Sequence, residues 1–191
     1  ESQHFEVTTY RADGPYVDHR RPESVQFVQS IEEDLSRRDF TINAMAFQPW
    51  GNELVDPFKG RPALKQKRIQ TVGEPAERFE EDGLRIMRAA RFAAQLGFRI
   101  ENKTLQAMQQ KAQLIDRISK ERVRDELLKM LAAPKPDVGL GYLLDCQVQE
   151  RLFPGALLQS PAVWRQVLRE LDSDRQAERL SAYYLPAWKA S

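Results

Sequence analysis

Apolar and polar positions along this chain change rhythm once, near Pro75. Before it they alternate in short runs or break at turn residues; after it they recur at helical spacing. Phe5 to Tyr10 alternates and is rich in β-branched residues, which predicts a strand with Glu6, Thr8 and Tyr10 on one face. Arg11 to Pro22 carries Gly-Pro and Arg-Pro pairs and predicts a loop, and Val25 to Val28 a second short strand. Ser30 opens a helical turn. Trp50-Gly51-Asn52 predicts a hairpin turn joining Met45–Phe47 to Glu53–Val55. The loops at 56–60 and 73–75 flank a connector with little helical signal. Beyond Pro75, helices are predicted at 80–92 and 105–115, then after Ser119, where Val123, Leu127, Met130 and Leu131 share an apolar face. Ala133-Pro134-Lys135-Pro136 breaks that helix. Further helical segments follow at 140–144, 148–153, 163–171 and 180–188. The expected class is α+β, strands first and helices after.

Composition narrows the possibilities only slightly. The chain has 191 residues, 30% of them charged, and its 29 basic and 28 acidic side chains nearly cancel. Any surface for nucleic acid must therefore be local. One Cys and two His exclude a disulfide framework or a Cys/His metal cluster and suit a reducing compartment, so a cytoplasmic location is expected. No apolar run approaches the ~20 residues of a membrane span. No signal peptide opens the sequence, which starts almost directly in a strand-like run without Met, as a fragment would.

The chemistry concentrates in two places. On the helix from Glu80 to Phe92, at ~100° per residue, Glu81, Arg85 and Arg88 fall on one arc, with Ile86, Met87, Ala90 and Ala93 opposite. Asp82 and Arg85 flank the polar arc and can address one planar object. An aspartate accepting from an amino group, beside an arginine donating to a ring nitrogen, matches cytosine or adenine and repels guanine or uracil. The same spacing also suits an exposed helix laced with ion pairs. The second place is Arg38-Asp39, followed by Asn43. A guanidinium fork suits phosphate oxygens, and a carboxylate can accept from a ribose hydroxyl. Asn43 suits either a polar contact or a turn. Glu6 suits either a metal-assisting strand carboxylate or a surface acid. The loop with Arg11, Tyr16 and Arg20 has the mixture of a substrate-contacting loop, and Tyr183, Tyr184 and Trp188 suit either RNA bases or helix packing.

Six stretches in order carry a resemblance: 37–46 (Arg-Arg-Asp-Phe-Thr-Ile-Asn-Ala-Met-Ala), 56–58 (Asp-Pro-Phe), 71–73 (Thr-Val-Gly), 78–85 (Arg-Phe-Glu-Glu-Asp-Gly-Leu-Arg), 88–93 (Arg-Ala-Ala-Arg-Phe-Ala) and 118–123 (Ile-Ser-Lys-Glu-Arg-Val). Over residues 5–155 the chain resembles the class II tRNA nucleotidyltransferases, the CCA-adding enzymes and their poly(A) polymerase relatives. The resemblance implies the C-terminal part of a polymerase-β-type nucleotidyltransferase head at 1–70, a helical, nucleobase-reading neck at 71–134, and a helical body on the tRNA side at 135–191. It implies that Arg38 contacts the incoming nucleotide and Asp39 its ribose. Asp82 and Arg85 would serve as a protein template for C and A, and Arg88 and Arg91 would bind triphosphate or brace the template. Glu81, Arg122 and Glu126 would support, and Arg11, Tyr16 and Arg20 would belong to the flexible loop linked to the switch from C to A. Substrates would be ATP and CTP, the partner a tRNA 3′ end, and the cofactor Mg²⁺.

One departure stands out. The family's metal-binding Asp-x-Asp lies upstream of the strand matched here and is not in this sequence, which leaves Glu6 as a weak placement. By itself the chain is expected to bind nucleotide poorly and polymerise nothing. The expected activity is addition of C and A to tRNA. A-adding, CC-adding or poly(A)-polymerising siblings are alternatives, as is a non-catalytic RNA-binding module. Asp-Gly-Leu-Arg at 82–85, in place of the Asp-Pro-Val-Arg of bacterial poly(A) polymerases, favours tRNA repair.

Overall fold

The computed structural model describes residues 7–14, 16–17 and 21–152, with backbone alone at 16–17 and 21–22. Strand β1 (Arg11–Asp13) precedes β2 (Tyr16–Val17), β3 (Arg21–Pro22) and β4 (Val25–Phe27). β1 pairs antiparallel with β4, Ala12 opposite Gln26, and β2 pairs with β3, so the four form one long hairpin. Residues 7–10, expected in a strand, are irregular, and the ladder starts at Arg11, inside the expected loop. The reason is tertiary: the Asp34 carboxylate takes the Arg11 N–H at 3.2 Å and fixes the strand start. Residues 5 and 6, and with them Glu6, lie outside the described residues.

Helix α1 (Ile31–Ser36) is capped by Ser30, whose hydroxyl accepts the Glu33 N–H at 3.4 Å, and it carries acids in its first turn. A 3₁₀ turn spans Thr41–Asn43. β5 (Ala46–Gln48) and β6 (Glu53–Val55) then form the expected hairpin around Trp50-Gly51-Asn52. Helix α2 (Gly60–Lys65) fills the connector where little helix was expected. Its cap comes from outside the local pattern, because the Asp56 carboxylate accepts the N–H groups of Gly60 at 2.6 Å and Arg61 at 3.0 Å. β7 (Arg68–Ile69) pairs in parallel with β8 (Arg99–Ile100) and ties this part to the helices.

The helices are α3 (Pro75–Glu81), α4 (Leu84–Leu96), α5 (Asn102–Gln110), α6 (Lys120–Leu131), α7 (Pro136–Asp145) and α8 (Val148–Leu152), with a 3₁₀ segment at Ala112–Arg117. α4 is the central one. Ile86, Met87, Ala89, Ala90, Ala93 and Ala94 are wholly buried against α6 and α7. Its alanines let α7 approach so closely that a Cβ at Gly139 would sit 2.6 Å from the Ala90 carbonyl oxygen. Burying Ile86 and Met87 stabilises by roughly 1.5–3 kcal/mol each. Phe40 meets Phe92 edge-on at 5.7 Å, which joins residues 37–43 to α4.

The helix expected from Glu80 to Phe92 is two helices. The chain turns extended at Asp82 (φ −147°, ψ 104°), and α4 restarts at Leu84. At the break, Gly83 lets the 112–117 segment pack close: a Cβ there would lie 2.9 Å from Leu114 Cβ. Asp82 becomes the cap of α4, its Oδ1 accepting the Leu84 N–H at 3.0 Å.

Candidate functional site

A cleft of about 520 Å³ opens between the 38–43 segment, the α3–α4 break and α6. Arg38, Asp39, Asn43, Asp82, Leu84, Arg85, Arg88, Phe92 and Arg122 line it. Four arginines face two aspartates, so the cleft carries excess positive charge and favours an anionic ligand.

Each polar group has a definite setting. Asp82 bridges two helices: Oδ1 caps α4, and Oδ2 accepts Arg122 Nη2 of α6 at 2.8 Å. Arg85 is 7% exposed and bound from three sides. Its Nη1 donates to Glu81 Oε2 and to the Arg78 carbonyl at 3.0 Å, and its Nη2 donates to the Arg37 carbonyl at 3.2 Å. The two residues are thus held as an acceptor and a donor at one end of the cleft. Because the helix breaks between them, this placement comes from capping and ion pairing, not from one helical arc. Glu81 sits behind Arg85 and also accepts from Arg78 Nη1 at 3.0 Å.

Across the cleft, Arg38 Nη2 donates to Asp34 Oδ2 at 3.2 Å and leaves its side chain 42% exposed. Asp39, 8% exposed, accepts the Phe40 N–H at 2.8 Å and Asn43 Nδ2 at 3.1 Å on Oδ1, and Arg88 Nε at 2.8 Å together with Nη2 on Oδ2. Asn43, left between a contact and a turn residue, does both: it ends the 3₁₀ turn and binds Asp39. The Arg88 guanidinium lies 5.5 Å from the Phe92 ring centroid.

Not every expected residue gathers here. Arg91, expected to bind triphosphate or brace the template, does not line the cleft. It is 8% exposed, its Nε donates to the buried Glu126, and Nη1 donates to Gln95 Oε1 at 2.6 Å. The physical reason is helical phase: three residues past Arg88, Arg91 is turned about 60° around the helix and faces Glu126 of α6. Arg11 stands at the hairpin base, its carbonyl accepting Arg37 Nε at 3.1 Å. The Tyr16 side chain, Arg20, Tyr183, Tyr184 and Trp188 lie outside the described side chains.

Sequence reasoning passed over Phe92, Arg37 and Asp34. Asp34 is 3% exposed and central: Arg37 Nη2 donates to it at 2.7 Å, in addition to Arg38 and the Arg11 amide. Burial alone would raise its pKa. Burial is the largest single influence, but the hydrogen bond and charge of Arg37, the Arg11 amide and Arg38 together outweigh it and hold the carboxyl below its ordinary 3.8. The i,i+3 and i,i+4 spacing of Asp34 to Arg37 and Arg38 was the available signal.

Among the described residues no group of three or more His, Cys, Asp or Glu could hold a metal ion. Each cleft carboxylate is already taken by an arginine. The described residues therefore do not fit the Mg²⁺ that the resemblance implies. No helix among them is long and apolar enough to cross a membrane.

Known proteins share this fold. Residues 1–70 match the poly(A) polymerase head domain, and residues 97–158 match the probable RNA- and SrmB-binding site of polymerase A. The CCA-adding enzyme of Streptococcus mutans is 50% identical over 171 residues, 89% of this chain and 42% of the relative. That of Streptococcus pyogenes is 41% identical over 201 residues, 98% of this chain and 50% of the relative. The chain thus spans about half the length of these curated relatives. Among solved structures, the Bacillus stearothermophilus CCA-adding enzyme in complex with CTP superposes with a TM-score of 0.78 at 36% identity, over 95% of this chain and 44% of that one. The Thermotoga maritima CCA-adding enzyme complexed with tRNA gives 0.67 at 29% identity, over 83% and 43%.

Proposed function

Because the chain belongs to the class II tRNA nucleotidyltransferase and poly(A) polymerase family, we propose that it is the nucleotide-selecting part of an enzyme adding C and A from CTP and ATP to the 3′ end of tRNA. The observation that carries this reading is the acceptor–donor pair at one end of an arginine-rich cleft. Asp82, oriented by Arg122, accepts from the amino group of cytosine or adenine, and Arg85, oriented by Glu81, donates to the adjacent ring nitrogen. Uracil and guanine would set acceptor against acceptor and donor against donor, with buried polar groups left unpaired. Arg38 and Arg88 take the phosphates, Asp39 the ribose, and Arg91 with Glu126 braces α4 against α6.

Residues 1–70 serve as head, 71–134 as base-reading neck and 135–191 as tRNA-side body. The Mg²⁺ of nucleotidyl transfer is assigned to carboxylates outside the described residues. A cytoplasmic setting follows from a chain with one Cys, buried and unpaired.

The test is labelled-nucleotide incorporation by the full-length protein on tRNA transcripts ending before CCA, after C and after CC, with an unstructured oligonucleotide alongside. Ordered addition stopping at CCA is expected. Activity on CC ends alone would replace this reading with an A-adding enzyme, and long A tails on any RNA with a poly(A) polymerase. No incorporation at all would leave an RNA-binding module.

A further inference from the structure

The carboxylate read as the ribose acceptor is already full. Asp39 receives four N–H donors: Phe40 and Asn43 on Oδ1, and both Arg88 Nε and Arg88 Nη2 on Oδ2. An ionised carboxylate offers about four acceptor positions, so a ribose hydroxyl finds none while all four donors stay. The Oδ1 donors are fixed in place, one a backbone amide and the other the turn residue four positions on. The Oδ2 donors belong to a single side chain that is one-third exposed and lines the cleft.

That side chain is also suited to leave. Its planar fork matches phosphate oxygens as well as it matches a carboxylate, and a triphosphate offers several negative charges where Asp39 offers one. The Phe92 ring supports the guanidinium on a face that needs no particular in-plane direction, so the fork can turn and keep that contact. Arg38 differs, because Asp34 tethers it outside this exchange.

We propose that Arg88 is a phosphate-operated gate on ribose recognition. A bound triphosphate draws the Arg88 guanidinium off Asp39, and the vacated Oδ2 then accepts the ribose 2′-hydroxyl. The inference rests on the reading of the cleft as a CTP and ATP site. Its consequence is that preference for ribose over deoxyribose is conditional: it operates on a triphosphate and is absent for a nucleoside, which leaves the gate closed.

The experiment compares affinities of CTP, 2′-deoxy-CTP, cytidine and 2′-deoxycytidine for the full-length protein by calorimetry, with Arg88→Gln and Arg88→Lys beside the wild type. The wild type should prefer CTP over its deoxy form by about tenfold, the scale of one hydrogen bond to a charged group, and should bind the two nucleosides within about twofold of each other. Arg88→Gln should weaken both triphosphates and make cytidine bind better than deoxycytidine by about fivefold or more, because Asp39 is then open. Arg88→Lys, which has no fork, should fall between. Equal ribose preference for nucleosides and triphosphates in the wild type would overturn the gate without any variant. So would an Arg88→Gln protein that still ignores the 2′-hydroxyl of a nucleoside. A wild type that neither binds nor incorporates CTP would sink the functional reading itself, and incorporation on tRNA separates that failure from the others.

Discussion

Helix α4 carries two arginine–carboxylate pairs of nearly the same composition, three residues apart, in opposite surroundings. Arg88 meets Asp39 at the wall of an open cleft, with side-chain exposures of 33% and 8%. Arg91 meets Glu126 between packed helices, at 9% and 5%. Among the described residues the sealed pair is also held by Gln95, Lys129 and the Phe92 ring, over which the Arg91 guanidinium lies at 4.1 Å. Loss of one member strands a charge in the core. The cleft pair can trade its arginine for a ligand phosphate. Near-identical chemistry thus serves packing in one place and, in the proposed function, substrate handling in the other, with burial separating the two. Arg91→Ala or Glu126→Ala should therefore destabilise by roughly 3–5 kcal/mol, against about 1–2 for Arg88→Ala, read from urea unfolding of the full-length protein. Equal midpoints for the Arg88 and Arg91 variants would break the comparison.

The next effect concerns base choice and sharpens the comparison within the cleft. Asp82→Ala should reduce discrimination of CTP and ATP against UTP and GTP by about tenfold to a hundredfold in kcat/KM, with a smaller change in triphosphate affinity. Arg122→Ala should show the same signature at about tenfold, since Arg122 holds Asp82 Oδ2 at 2.8 Å and touches the base only through it. Arg88→Ala should do the reverse and lose triphosphate affinity with base choice kept. Unchanged discrimination in Asp82→Ala would rule out the template role.

How much of this could be read from residues alone follows the range of the interactions. The hairpin at Trp50-Gly51-Asn52 and the buried face of Ile86, Met87, Ala90 and Ala93 are local patterns, and both stand where expected. Arg38, Asp39, Asn43, Asp82, Arg85, Arg88 and Arg122, which the family motifs singled out, line one cleft. What escaped is set by partners distant in the chain. The helix breaks at the extended Asp82, whose carboxylate is held by Arg122 forty residues on, and Leu114 leaves no room for a side chain at Gly83. Asp56 caps α2 from before a left-handed Lys59, and Asp34 starts β1 from twenty-three residues away. The lock of Arg88 on Asp39 spans 49 residues. The family resemblance put Arg88 and Arg91 in one functional group, whereas Arg88 meets Asp39 in the cleft and Arg91 meets Glu126 of the neighbouring helix.

Asp34 gives the smallest effect, and its sign can be worked out. It stands outside the cleft but holds both Arg38 and, through the Arg11 amide, the hairpin. Burial, the largest single influence, works to raise its pKa and is outweighed by Arg37, the Arg11 amide and Arg38 together, so the folded value lies below 3.8. A depressed carboxyl adds stability that is complete above the unfolded value and disappears as pH falls through the folded one. Wild type should therefore exceed Asp34→Asn by on the order of 1 kcal/mol near neutral pH, because the arginine partners are partly exposed. The gap should hold down to about pH 5 and close below the unfolded value. The neutral variant of the sealed Glu126, Glu126→Gln, should lie further below wild type at neutral pH than Asp34→Asn does, because it leaves Arg91 buried without its ion partner. A gap for Asp34→Asn that is flat from neutrality to acid would mean that Asp34 acts by shape alone and that its charge does not position Arg38.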